Sequence, residues 1–212
     1  MVRRLGKFGS DQNGATMVEM AITLPMLLIL LLGFVDFGYA FYQWNAANKA
    51  VQLGARIAQV SDPVASGLAL EAKTPSDSTQ VGAAVPAGTY DYICTANAAG
   101  TVSCACATGS TCQSLTANQA AFNFIFNGGS SGRAGMANIL PTLQKSEVRV
   151  EYAATGLGYW TRPNGPVPTI TVSIVNHPIQ FFFLGGLLGF GNLTMPSMLS
   201  TATGEDIKST YP

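Results

Sequence analysis

Asn13-Gly14-Ala15-Thr16-Met17-Val18-Glu19 opens the stretch whose reading decides this fold. It leads directly into Met20–Val35, sixteen residues without a charge, centred on Leu27-Leu28-Ile29-Leu30-Leu31-Leu32. A membrane span takes about 20 mostly apolar residues. Met17 to Tyr42 supplies that length, and it ends among Phe34, Phe37, Tyr39, Phe41, Tyr42 and Trp44, aromatics of the kind that gather at a membrane–water interface. The stretch therefore predicts a transmembrane helix. Arg3, Arg4 and Lys7 precede it, and the first charges beyond Trp44 are Lys49 and Arg56. Because positive flanks stay cytoplasmic, this bias places the N-terminus inside and the remainder outside.

The position of the small residues matters as much as the apolar run. A secretory signal carries its cleavage site after the apolar region, whereas here the small junction Gly14-Ala15 comes before it. A cut there removes the basic leader, residues 1–14, and keeps the helix. Glu19 then becomes the fifth residue of the remaining chain. A carboxylate at mid-membrane costs roughly 2.5–3.5 kcal/mol on insertion scales, so it seeks a partner. The new amino group of Ala15 on a neighbouring subunit is one candidate.

These features resemble the type IV prepilin signal. More narrowly, Gly14-Ala15-Thr16-Met17-Val18-Glu19-Met20-Ala21 followed by Leu24-Pro25-Met26-Leu27-Leu28 is similar to the TadE-like pseudopilins of the tight-adherence (Flp) pilus system. Ala46-Ala47-Asn48-Lys49-Ala50-Val51-Gln52-Leu53-Gly54-Ala55-Arg56 continues the likeness, which runs from about Gly14 to Ala58. The bulk Flp subunits are short and have Tyr after the Glu. Here Met20 follows, and the chain has 212 residues, so the resemblance implies a minor pilin or pseudopilin. It also implies processing after Gly14 by a prepilin peptidase and packing against other pilins through Glu19. The expected location is the bacterial inner membrane in a single pass, with a periplasmic or extracellular head that contacts the pilus assembly machinery or enters the pilus itself.

Composition narrows the alternatives. Charged residues are 10% of the chain and the formal net charge is zero; without residues 1–14 there remain 8 basic and 10 acidic side chains, net −2. Nothing clusters basic charge for a nucleic-acid partner. Neither a cofactor nor a small-molecule substrate is implied. Cys94, Cys104, Cys106 and Cys112 all lie beyond the predicted span, and an even number in an oxidising compartment reads as two disulfides. Cys104 and Cys106 are too close in sequence to favour pairing with each other. Zinc is the weaker reading, since Cys-x-Cys with these gaps lacks the usual paired spacing.

Along the rest of the chain, Trp44, Ala47, Ala50, Val51, Gly54, Ala55 and Ala58 recur at three and four residues, the signature of one helix face. The helix should therefore continue past the membrane to about Val60, where Asp62-Pro63 ends it. Small residues on that face permit close approach of a neighbour. Pro25 removes one hydrogen bond inside the helix. Asp36 lies 17 residues after Glu19, roughly 25 Å along the axis, so the two acids bracket the hydrocarbon and Asp36 reads as interfacial.

Residues 63–88 read mostly as loop, with a short helix near Leu68 to Lys73. Thr89–Cys94 and Thr101–Cys104 read as strands joined by a turn at Asn97–Gly100. Facing Cys94 with Cys104 leaves the three-residue loop Ala98-Ala99-Gly100, with Gly free to take a left-handed conformation. That register favours Cys94–Cys104, and hence Cys106–Cys112. Gln119–Asn127 and Ala134–Leu143 read as helices, the second broken at Pro141. Val148, Val150, Tyr152 and Ile170, Val172, Ile174 alternate with polar residues as two half-buried strands, antiparallel through the turn-rich Arg162–Pro166. Their apolar faces are expected to cover the outer part of the long helix. Ile179–Phe190 is apolar but too short to span, which points to docking in a core or at an interface. His177, beside Pro178, reads as structural.

The expected architecture is α+β and pilin-like: leader 1–14, helix 15–61, and a disulfide-containing head 62–212 built on a small antiparallel sheet. The expected role is non-enzymatic. The main alternative is an uncleaved, signal-anchored extracytoplasmic binding or adhesion domain. Gly128-Gly129-Ser130-Ser131-Gly132 also matches the Gly-x-Ser-x-Gly elbow of hydrolases, but it reads more simply as a Gly/Ser linker.

Overall fold

The computed structural model describes residues 12–71, 78–129, 132–162, 165–188, 193–205 and 207. The greater part of the expected leader, residues 1–11, lies outside the described residues, as do Ser130 and Ser131. The protein is α+β: one long apolar helix at the N-terminus, a small antiparallel sheet and two disulfides.

Helix α1 runs without interruption over Gln12–Gln59 and includes Pro25. Leu, Met and Ala, which lose little on entering a helix, dominate its sequence. Arg56 lies in its last turn, where positive charge complements the carbonyl end of the dipole. Val60 N–H donates to the Ile57 carbonyl at 3.2 Å, a tightened last turn just before Asp62-Pro63.

The chain divides into two compact units. One combines residues 1–42 with 179–193, the other 43–178 with 194–212. The last turns of α1, from Gln43 on, thus group with the head, and the apolar segment after His177 groups with the apolar part of the helix. In that first unit, α1 is long and apolar enough to cross a membrane, and its apolar window is almost wholly exposed.

The head is organised on a five-stranded sheet. In chain order its strands are β1 (Asp91–Ala96), β2 (Val102–Cys106), β3 (Val148–Ala153), β4 (Thr169–Ile174) and, after the excursion through the other unit, a last strand, Met198–Thr203. Between these last two come the two-residue strands β5 (Pro178–Ile179) and β6 (Leu193–Thr194), which pair with each other where the chain leaves and re-enters the head. The last strand is therefore β7, and the large sheet has the order β2-β1-β3-β4-β7 with every pairing antiparallel. One register row crosses it as Cys104, Cys94, Val150, Val172, Ser200, and another as Cys106, Tyr92, Tyr152, Ile170, Ala202. Alternation puts Tyr92, Cys94, Val148, Val150, Tyr152, Ile170 and Val172 on the buried face.

That face meets the small-residue stripe of α1. Ala47, Ala50, Val51, Ala55 and Ala58 are buried. At Gly54, a β-carbon would stand 3.1 Å from Val172 Cγ1 and 2.6 Å from Met136 Sδ. Glycine here sets how closely the helix and β4 approach. Two further helices complete the core: α2 (Gln119–Asn127), capped by the Asn118 side chain on the Ala121 N–H at 3.1 Å, and α3 (Met136–Ile139). The loop 61–71 contributes a 3-10 turn at Ser66–Leu70.

The glycines after α2 are not a slack tether. Gly128 bridges to Ala134, and Gly129 N–H donates to the Arg133 carbonyl at 3.0 Å. Gly128 has φ +84 and ψ −173, a region open essentially to glycine alone. A β-carbon there would lie 1.9 Å from the Arg133 carbonyl oxygen. Gly128→Ala is expected to destabilise the protein by at least about 2 kcal/mol, strain and backbone displacement together. Thermal unfolding of the full chain in detergent, followed by circular dichroism, should show a lowered Tm.

The hairpin between β1 and β2 closes through Asn97: its N–H donates to the Thr101 carbonyl at 2.9 Å, and its side chain accepts from the Thr101 N–H at 2.9 Å. Gly100, at φ +82, takes the left-handed position. Cys94 and Cys104 face each other and are bonded, and Cys106 is bonded to Cys112. Replacing Cys94 and Cys104 together by Ala is expected to lower stability by about 2–4 kcal/mol, the range for loops of this size, measured by urea unfolding against the parent chain.

Candidate functional site

The residues singled out in the sequence fall in three places. Gly14, Ala15 and Glu19 lie on α1 and are exposed; among the described residues nothing bonds to the Glu19 carboxylate. The chain is helical through Gly14, so the Gly14–Ala15 peptide is itself helical.

Asp36, on the same helix, is in the opposite condition. Its side chain is fully buried, and its two oxygens accept three consecutive backbone N–H groups: Phe182 at 3.0 Å, Phe183 at 2.9 Å and Leu184 at 2.7 Å. These belong to the start of helix α4 (Leu184–Leu188), where N–H groups lack partners within the helix. Phe181 packs edge-on against Phe37 with centroids 6.2 Å apart, and Phe182 lies 4.9 Å from Tyr39. Ile179–Leu188 is thus docked on the helix, and Asp36 holds it there. The interfacial reading of Asp36 missed this bond, because the acceptor and its donors are 146 to 148 residues apart. The only sequence signal was an acid beside one apolar run and a second apolar run without a charge.

In the head, polar groups are used to fasten loops to the sheet. Tyr92 donates its hydroxyl hydrogen to Glu71 Oε1 at 2.5 Å, and the same carboxylate oxygen accepts the Gln113 N–H at 2.8 Å. The Tyr152 hydroxyl accepts the Val64 N–H at 3.1 Å. His177 is buried with both ring nitrogens engaged: Nδ1 lies 2.7 Å from Glu147 Oε2 and Nε2 lies 3.3 Å from Thr142 Oγ1. Glu147 Oε2 also accepts the Gln144 N–H at 2.9 Å, and the His177 carbonyl accepts the Met195 N–H at 2.7 Å. His177 thereby clips the point where the chain leaves the head to the strand-side loop that receives it back. Among the described residues no group of three His, Cys, Asp or Glu side chains is placed to hold a metal, and all four cysteines are in disulfides.

Together these features define a class: a head of α+β fold, braced by disulfides, and an N-terminal helix of membrane-spanning length. Residues 14–56 match the model of the TadE-like protein family. The likeness first read at Gly14–Ala58 is borne out over that segment, which ends just before the close of α1. No curated protein and no solved structure matches the chain.

Burial raises the pKa of the Tyr90, Tyr92 and Tyr152 phenols well above the ordinary tyrosine value; the negative charge of Glu71 adds to it at Tyr90, as do its charge and its hydrogen bond at Tyr92. The unfolded chain ionises near pH 10, while the folded chain retains these protons. Their contribution to stability is complete below about pH 10 and is lost as the pH rises further. Stability should therefore fall steeply above about pH 10. The absorbance of these phenols near 295 nm should rise together with loss of the circular dichroism signal rather than before it.

Proposed function

We propose that the protein is a non-enzymatic minor pilin or pseudopilin of a tight-adherence pilus, held in the bacterial inner membrane by α1 until it is assembled. The match of residues 14–56 to the TadE-like proteins carries this reading. The placement of Gly14-Ala15 ahead of the apolar helix supports it. A prepilin peptidase would cut after Gly14, leaving Ala15 as the new N-terminus and Glu19 near the start of the span. With the basic leader cytoplasmic, the head lies outside, where its two disulfides persist. Its partners are then the membrane, the peptidase, other pilins and the assembly machinery.

One observation favours a second reading, an uncleaved signal-anchored binding or adhesion domain. The Gly14–Ala15 bond lies within α1, which is described from Gln12 on, and proteolysis would require the helix to unwind there. The two readings differ in whether the leader is removed. Determining the N-terminus of the protein from native membranes separates them. Ala15 is expected as the first residue, with Glu19→Ala reducing incorporation into pili while leaving the amount of folded protein unchanged. Recovery of the intact leader from cells whose prepilin peptidase is active on another substrate overturns the pilin reading.

A further inference from the structure

We propose that residues 179–186 form a second lipid contact, seated in the outer interface of the bilayer beside α1, and that Asp36 is the positioning residue that sets its depth. The proposal rests on α1 being the membrane span. From Met17 to Asp36 the helix rises about 28 Å, close to the roughly 30 Å of a hydrocarbon core, so Asp36 falls at the outer boundary.

Three observations point to lipid as the occupant. First, from Pro178 to Gly204 the chain carries no charged residue. Second, Phe182 and Phe183 remain 60% and 42% exposed although their backbones are fixed. This is an aromatic surface continuous with the exposed apolar side chains of α1, among them Phe34 and Phe37. Third, non-helical backbone at membrane depth is tolerated only where its polar groups are satisfied within the protein. The turn into α4 presents three such N–H groups in succession, and Asp36 accepts all of them. The carboxylate thus gives this turn what water would otherwise provide.

The test uses the full chain with Trp44→Phe and Trp160→Phe, reconstituted in phosphatidylcholine/phosphatidylglycerol vesicles, with a single reporter introduced as Phe182→Trp. Phosphatidylcholine brominated on its acyl chains should quench this reporter several-fold more than it quenches native Trp160 in a chain lacking only Trp44. Adding Asp36→Asn should reduce the quenching and shift the emission to longer wavelength. A separate Phe34→Trp reporter monitors the span. If Phe34→Trp is not quenched, the membrane reading of α1 fails and this proposal with it. If Phe34→Trp is quenched and Phe182→Trp is not, the lipid contact alone is overturned. Quenching of Phe182→Trp that disappears as the protein-to-lipid ratio rises assigns the face to a second copy of the chain and likewise overturns it.

Discussion

The structure depends on a stripe of very small side chains along the last turns of α1. A sheet packs against a helix at a distance set by the residues between them. Ala47, Ala50, Gly54 and Ala58 bring the backbone of this helix close to the strands. At Gly54 a further methyl group would press on Val172 and Met136, which would have to shift to admit it. Close approach lets a modest sheet bury a core without bulky side chains from the helix, and the bulk comes from the other partners: Tyr92, Tyr152, Phe122 and Met136. It also explains why one continuous helix can serve both units. Its long exposed apolar run lies ahead of Gln43, its small buried residues follow Gln43, and no break in the backbone separates the two compositions.

A low-charge protein with little ionic chemistry meets several of its buried donors with a few carboxylates. Glu71 serves a phenol and an amide, Glu147 serves an imidazole and an amide, and Asp36 serves three amides. In each case at least one donor comes from a distant segment (Tyr92 for Glu71, His177 for Glu147, Phe182–Leu184 for Asp36), so that each acid fixes a chain crossing. Hydrogen bonds to a charged acceptor are about twice as strong as neutral ones, and loss of the acceptor leaves several buried donors unpaired. Hence these acids hold tertiary connections for which the apolar core alone does not specify the register. His177 extends the same device to the neck between β5 and the return at Met195.

How much of this was legible follows from range in sequence. Elements with a local signature were readable: the apolar run of α1, the alternation in β3 and β4, the helical span of α2, and the three-residue loop ahead of Cys104. The first strand of the hairpin extends two residues further toward the turn than expected, to Ala96, while the second starts one residue later, at Val102, and runs on to Cys106. Strand β7 has a weak pattern, Met-Leu-Ser-Thr-Ala-Thr, and as an edge strand only Met198 is fully buried; composition could not reveal it. Gly128 reads as linker in one dimension and as a steric necessity in three. The docking of Ile179–Leu188 on Asp36 was not legible, since it joins residues more than 140 positions apart through backbone amides, which leave no mark in a sequence.

The two acids of α1 sharpen what that docking means. Glu19 and Asp36 stand 17 residues apart on one helix, and by sequence each is an acid beside hydrocarbon. Their fates differ entirely. Asp36 finds its donors within the chain and is withdrawn from solvent, whereas Glu19 is exposed on a surface of apolar side chains. A carboxylate beside apolar surface retains its charge only where water or a positive partner compensates it. For Asp36 the protein supplies that compensation; for Glu19 the described chain supplies none. The asymmetry separates a residue bonded within its own chain from one that no described residue bonds. On the proposed pilin reading it is Glu19, and not the better-bonded Asp36, that is expected to govern association with other subunits.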